Sequence, residues 1–411
     1  MASLAQRTGP WQPVLEVSEQ VIGVWCSDAP LAKTILAVAT RNTLSIYTSQ
    51  VSDRRLSFRQ INSYLIGSAI SALAFSPGSQ YGEQDGVHKI EMVIAVGNDI
   101  QLVSDSDQGV AVTTVGKIPG TRVVLDIAWS SAPGYEQYLA TACSDNSLQL
   151  WDLEPAQGGA PVYRTLMVKE PVQTVAFHPR LPKLLLVVDA SGTGRFIDWF
   201  ASFAPGSHKL QTAASFSEAK AVAANFTQGV QSLGQAAWQA QNPDLVGAVF
   251  GSRWSIWNVA ADNSMAAQLQ VSGKTGTHVQ PGHGFFAFAT TNSRLFSVAN
   301  QTLSHAQLAS TRSLANGLDL HSRATADSDS TIQIIDLAFP QSPRTIAVHN
   351  QTAQVPSGVD LDTTGTRQAG APSVPCAYGI KGIAWLPHRV ANYDVLLVAI
   401  GARIIAIPAT S

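Results

Sequence analysis

Val124-Leu-Asp-Ile-Ala-Trp129, Tyr138-Leu-Ala-Thr-Ala-Cys143, Ser144-Asp145-Asn146-Ser147 and Leu148-Gln-Leu-Trp151-Asp152 follow one another within a short stretch of the chain. The first run alternates apolar and other residues and ends on an aromatic. The second is almost wholly apolar. The third ends on an aromatic followed by aspartate. Runs this short carry the two-residue period of strands rather than the helical period. The Ser, Asp and Asn between them supply a tight turn, because their side chains bond nearby backbone. The stretch therefore predicts three antiparallel strands.

The same unit returns on both sides. Downstream lie Val172-Gln-Thr-Val-Ala-Phe177-His178-Pro179, Lys183-Leu-Leu-Leu-Val-Val188, Ala190-Ser-Gly-Thr-Gly194 and Arg195-Phe-Ile-Asp198. After them come Gly234-Gln-Ala-Ala-Trp238, Leu245-Val-Gly-Ala-Val249 and Trp254-Ser-Ile-Trp257-Asn258. Upstream, Ile22-Gly-Val-Trp25 leads to Ile35-Leu-Ala-Val38 and Leu44-Ser-Ile-Tyr47, with Trp25 read as the aromatic of that unit. Ile70-Ser-Ala-Leu-Ala-Phe75 leads to Met92-Val-Ile-Ala-Val96 and Ile100-Gln-Leu-Val103. The last copy is Gly382-Ile-Ala-Trp385, Val395-Leu-Leu-Val-Ala399 and Arg403-Ile-Ile-Ala-Ile407. A degenerate copy before it runs from Phe285-Phe-Ala-Phe288 through Arg294-Leu-Phe-Ser-Val298 to Thr331-Ile-Gln-Ile-Ile-Asp336.

The units lie roughly 50 residues apart, apart from the stretched sixth, close to the spacing of WD40 or kelch blades. One such sheet has two apolar faces and cannot cover them alone. Radial stacking covers both and leaves only short edges. We therefore expect an all-β, seven-bladed WD40-type β-propeller over residues 1–411. The final copy ends too near the C-terminus for a fourth strand, while Pro13-Val-Leu-Glu-Val-Ser18 stands before the first copy without partners. That N-terminal strand is expected to complete the last blade and so remove an open edge. Polar stretches at about 300–326 and 351–377 are expected as long loops.

Between the fourth and fifth units, Phe216, Val222, Phe226 and Val230 fit either a short helix capped by Ser217 or an outer strand and a loop. Just upstream, Trp199, Phe200 and Phe203 are either junction core or anchors for a partner.

Composition narrows the function classes. Of 411 residues, 45% are hydrophobic and only 13% charged, about half the usual charged share. The net charge of −2 and the lack of any basic cluster beyond Asp53-Arg54-Arg55 and Arg59 argue against nucleic-acid binding, which needs a concentrated positive footprint. Cys26, Cys143 and Cys376 are odd in number and scattered, so neither a disulfide framework nor a zinc site is expected. No long apolar run suggests a signal peptide or a membrane span, so an intracellular protein without membrane insertion is expected.

No catalytic constellation emerges, and no enzyme, cofactor, metal or small-molecule substrate is expected. Ser191-Gly-Thr-Gly194 resembles part of a phosphate loop, but no lysine or helix pattern follows it and a turn is needed there. His178 and His388 follow the strand-ending aromatics, near the repeat position of Ser76, which marks them as architectural. Trp129, Trp151, Phe177, Trp238, Trp257 and Trp385 recur at shared strand-ending positions. Asp145 lies in a turn, while Asp152, Asp198, Asn258 and Asp336 end the third runs; all are expected to be structural.

Val246-Gly-Ala-Val-Phe-Gly-Ser-Arg-Trp254-Ser-Ile-Trp257-Asn-Val259, Lys381-Gly-Ile-Ala-Trp385 and Leu396-Leu-Val-Ala-Ile-Gly401-Ala-Arg-Ile404 resemble blades of the thirty-seven-kilodalton WD-repeat nucleoporin family. Ser144-Asp145-Asn-Ser-Leu-Gln-Leu-Trp151-Asp-Leu153 and Val172-Gln-Thr-Val-Ala-Phe-His178-Pro179 fit that family and other WD40 proteins alike. The resemblance follows the same blade order along most of the chain. The Gly-His pair that opens strong WD40 repeats departs from it, occurring only at Gly282-His283. The resemblance implies a scaffold subunit of the nuclear pore, in the nucleus at the nuclear envelope. There it would dock on a large propeller-solenoid nucleoporin of the Y-shaped complex, beside other subunits of that complex. A WD40 adaptor or substrate receptor of a ubiquitin ligase or chromatin complex is the alternative.

Overall fold

A computed structural model describes residues 13–27, 34–52, 55–82, 87–118, 123–155, 160–203, 212–217, 235–250, 253–260, 270–277, 282–291, 294–302, 330–338, 344–347 and 380–409. Their strands form seven antiparallel sheets, the blades of a propeller. From the innermost strand outward, blade 1 is Gly23–Cys26, Ile35–Ala39, Thr43–Ser52 and Arg55–Leu65. Blade 2 is Ile70–Phe75, Val87–Val96, Asp99–Ser106 and Gly109–Lys117, with Gln80–Gly82 added beside its second strand. Blade 3 is Val124–Trp129, Tyr138–Cys143, Ser147–Asp152 and Val162–Met167. Blade 4 is Val172–Phe177, Leu184–Asp189, Thr193–Asp198 and Thr212–Ser217. Blade 5 is Gln235–Trp238, Leu245–Phe250, Arg253–Ala260 and Gln270–Thr277. Blade 6 is Gly282–Phe288, Leu295–Thr302, Ser330–Asp336 and Arg344–Ala347.

Blade 7 joins the two ends of the chain. Ile380–Trp385, Asp394–Ile400 and Arg403–Ala409 are completed by Pro13–Glu16, which pairs Glu16 with Arg403 and Pro13 with Ile405. The expected closure is therefore present. Arg403 Nε lies 3.0 Å from Glu16 Oε1, and the Val17 and Val21 N–H groups donate to the Ala402 and Gly401 carbonyls.

The apolar core is divided into seven clusters, each lying between two neighbouring blades. This arrangement explains the continuous apolar second strands. Ile35, Ala37 and Ala39 pack toward blade 2, whereas Leu36 and Val38 pack toward blade 7. Leu184, Leu186 and Val188 likewise face blade 5, and Leu185 and Val187 face blade 3. A strand covered on both faces has no reason to alternate in polarity.

Ser217 ends the outer strand of blade 4; the rest of the helical candidate, 218–230, lies outside the described residues. So do residues 303–326 and 351–377 of the expected loops, together with Cys376.

The blade 5–blade 6 wedge gives a direct test of this packing. Phe286 lies over the bare Cα of Gly247, where a Cβ would meet its ring, and stacks on Phe296 at 5.4 Å. Gly247→Ala should overpack the wedge and cost about 1–3 kcal/mol. Thermal and denaturant unfolding would measure it, and an unchanged midpoint would show that the Phe286 ring is free to move aside.

Candidate interaction face

One backbone bond recurs in every blade and defines a common position. The residue after each innermost strand donates its N–H to a carbonyl of the second strand. The pairs are Ser27 to Ile35, Ser76 to Glu91, Ser130 to Tyr138, His178 to Leu184, Gln239 to Leu245, Ala289 to Leu295 and Leu386 to Val395. The residues just before these donors are Cys26, Phe75, Trp129, Phe177, Trp238, Phe288 and Trp385. Six blades carry an aromatic at this position; blade 1 carries a thiol.

This corrects the sequence reading of blade 1, which aligns Trp25 with the other aromatics. Cys26 pairs with Leu36, as Phe75 pairs with Met92 and Trp385 with Leu396. Trp25 falls one residue earlier, at the place of Ala74 and Ala384. Its ring covers Gly23 and packs toward blade 2, whereas Cys26 packs toward blade 7.

Two of the strand-ending aromatics tie blades together. Trp238 Nε1–H donates to the Ala176 carbonyl of blade 4 at 3.1 Å. Trp385 Nε1–H reaches the Ala287 carbonyl of blade 6 at 3.2 Å and Ser297 Oγ at 3.0 Å. Trp129 differs, bonding the Glu136 carbonyl within its own blade at 2.5 Å. Phe177 meets Trp199 edge-on. Bonds also run the other way round the ring. Asp126 Oδ2 accepts from the Val175 N–H, and Gln235 Oε1 accepts from the Phe286 N–H. Burial pushes the Asp126 carboxyl up to about 7, against the pull of the Val175 and Ile127 N–H groups that it accepts.

The loops after these strands share one face. Ser76 Oγ accepts the Gly78 N–H, His178 Nδ1 accepts those of Arg180 and Leu181, and Gln239 Oε1 accepts that of Gln241. From blade to blade, Gln239 Nε2 donates to the Ala289 carbonyl, Thr290 Oγ1 to the Leu386 carbonyl, and Thr34 Oγ1 lies 3.0 Å from His388 Nδ1. His178 and His388 are therefore loop ties, His178 at the recurring donor position and His388 two residues beyond Leu386, which is the donor of blade 7.

The third-strand aspartates brace the turns that leave their strands. Asp152, Asp198 and Asp336 accept the N–H groups of Glu154, Ala201 and Ala338. Asp145 accepts the Ser147 hydroxyl at 2.6 Å. Trp151 is fully buried and donates to Thr141 Oγ1; Trp257 stacks on Phe216 at 3.8 Å. Asp189 accepts the Ser191 and Thr193 N–H groups and pairs with Arg195. The donors that a phosphate would need at Ser191–Gly194 are thus already engaged.

Of the three aromatics weighed as partner anchors, Trp199 is wholly buried, ringed by Tyr135, Tyr138, Phe177 and Phe200, and bonded to the Pro182 carbonyl. It is core and offers no surface to a partner. Phe200 is 37% exposed, with Lys183 Nζ 4.8 Å from its ring centre, and the Phe203 side chain lies outside the described residues.

Sequence reasoning missed a polar seam between blades 1 and 2. Tyr64 donates to the buried Asp105 carboxylate, which Asn62 also approaches at 3.3 Å and His88 Nε2 at 3.2 Å. Burial and the adjoining carboxylate push the Tyr64 phenol far above its ordinary range. Tyr64 and Asn62 reach Asp105 across a blade boundary and His88 reaches it from the neighbouring strand of blade 2, so no local motif announces the group. Among the described residues, no three His, Cys, Asp or Glu side chains are placed to hold a metal.

A cavity of about 220 Å³ opens at the loop end of the innermost strands of blades 5, 6, 7 and 1. Trp238, Phe286, Phe288 and Trp385 supply its large walls, Ala287, Ala384 and Cys26 its small ones, and no charged residue lines it.

No family model and no curated protein matches the chain. Among solved structures, the crystal structure of Chaetomium thermophilum Raptor is similar, with a TM-score of 0.58 and 10% sequence identity. The match covers 99% of this chain and 30% of that one, so the present chain spans under a third of its length. At this identity the likeness establishes the fold. Since 852 solved chains resemble this one significantly, the fold alone selects no partner.

His178 gives this face a pH dependence. Burial holds its imidazole down to about 4, although Asp244 and a backbone bond at Pro243 pull the other way. Protonation would also convert the Nδ1 acceptor of the Arg180 and Leu181 N–H groups into a donor. A depressed histidine contributes stability above its unfolded pKa of about 6.5 and loses it as pH falls toward 4. Melting from pH 7 to 4 should show this loss, up to about 3 kcal/mol from this residue. His178→Asn should flatten the profile, and an equally steep profile would assign the acid sensitivity elsewhere.

Proposed function

We propose that this chain is a non-catalytic WD40-type interaction module, a structural subunit of the Y-shaped outer-ring complex of the nuclear pore. In this reading it docks on a large propeller-solenoid nucleoporin. The observation that carries the reading is the ordered resemblance of its blades to the WD-repeat nucleoporins. The described residues of the strings at 246–259, 381–385 and 396–404 fall in the second and third strands of blade 5 and in the three C-terminal strands of blade 7 and the turn between the last two.

The character of the molecule supports an interaction role. A propeller offers a rigid rim, here with exposed Val110 and Val112 on blade 2 and Val162, Tyr163 and Met167 on blade 3. Apolar surface of this kind gives stable association when it meets a complementary partner. With only 13% charged residues, long-range steering contributes little.

The test is affinity purification from gently lysed cells with a tag at Met1, followed by mass spectrometry. The large propeller-solenoid nucleoporin and other Y-complex subunits are expected in stoichiometric amounts, and their recovery should survive moderate salt. Ubiquitin-ligase or chromatin subunits in their place would sink the nuclear-pore reading. Loss of the companions in moderate salt would instead contradict an apolar interface.

A further inference from the structure

We propose that the cavity between Trp238, Phe288, Trp385 and Cys26 is a receptor for one aromatic side chain of a partner polypeptide. The inference rests on the reading of the chain as an interaction module, and not on the nuclear-pore assignment. Its basis is the single break in the ring. The recurring backbone bond defines one side-chain position per blade, aromatic in blades 2 to 7 and Cys26 in blade 1. Trp25 does not compensate on that side, because its ring packs toward blade 2.

The cavity's size and chemistry select the occupant. About 220 Å³ lies below the roughly 300–1,000 Å³ typical of small-molecule and cofactor sites, but it is commensurate with one large side chain. None of its twelve lining residues is charged, so a lysine or glutamate tip would find no counter-charge there. The four aromatic residues of the lining favour an aromatic guest, since edge-to-face and offset contacts add to the area buried. Water reaches the site, for Ala240 is exposed and Ala237, Ala287 and Ala384 are half-buried. Aromatic anchors seated in such pockets carry most of the energy at many interfaces.

The test uses the full chain and reads alkylation of Cys26 by iodoacetamide, each cysteine peptide being followed by mass spectrometry. Cys143, fully buried, serves as the internal control. N-acetyl-tryptophanamide or N-acetyl-phenylalaninamide should slow Cys26 alkylation saturably, whereas N-acetyl-lysinamide should not. Ala384→Phe, checked for folding by its melting curve, should abolish that protection. In the complex purified from cells, Cys26 should be protected, and Cys26→Trp should weaken assembly by about tenfold or more while Cys26→Ala preserves it. Cys26 alkylation indifferent to aromatic probes and equal in free and assembled chain would overturn the proposal, whichever companions are recovered. If Cys26→Trp fails to fold, the wild-type alkylation comparison still decides.

Discussion

Every blade is a sheet with two apolar faces, and only a neighbouring blade can cover each of them. The remaining architecture stems from that constraint. Leu36 and Val38 need blade 7, while Ile35 and Ala37 need blade 2, so blade 1 is stable only between the two. Applied around the chain, the requirement has no solution in a linear stack, where the end blades would keep a bare face. The ring removes those ends, and Pro13–Glu16 closes it by pairing with Arg403–Ala409. The first and last strands thus share one sheet because an apolar surface would otherwise face water.

A polar requirement operates at the centre. Each innermost strand has one edge without a strand partner, and its buried backbone groups must find others. Side chains of adjacent blades supply several of them. Asp126 and Gln235 accept N–H groups from the next blade, while Trp238 and Trp385 donate to carbonyls of the preceding one. The bonds point in opposite directions around the ring, so a blade is held from both sides. They also explain how a carboxyl as perturbed as that of Asp126 is retained, since its oxygens accept the backbone N–H groups of Ile127 and Val175.

The blades are legible in the sequence because their cause is local: short apolar runs, turn residues and recurring aromatics lie close together. The closure is legible because it is a matter of counting strands. What escapes depends on one residue of register or on contacts between blades. Gly23-Val24-Trp25-Cys26 reads most naturally with Trp25 as its aromatic, yet the Cys26–Leu36 pairing assigns that position to cysteine. A shift of one residue reverses every side chain between the two faces, and hydropathy does not register it when both faces are buried. Trp199 is a related case: its sequence neighbours leave junction core and partner anchor both open, and the choice falls to core because Tyr135, Tyr138 and Phe177 enclose it from elsewhere in blades 3 and 4. The Tyr64–Asp105–His88 seam joins residues of two blades and has no sequence signature at all.

Near-symmetry makes the exceptions informative. In a ring of equivalent units, each wedge depends mainly on its two adjoining blades, so a departure in one has little effect on the others. Blade 1 departs by moving its aromatic one residue along the strand. The bulk of Trp25 is kept but redirected from the blade 7 side to the blade 2 side, where Gly23 makes room for the ring. On the blade 7 side a small thiol remains beside Ala384 and Trp385. Gly23 and Trp25 together add a ring to the wedge between blades 1 and 2, while Cys26 leaves only a small side chain in the lining of the loop-end cavity.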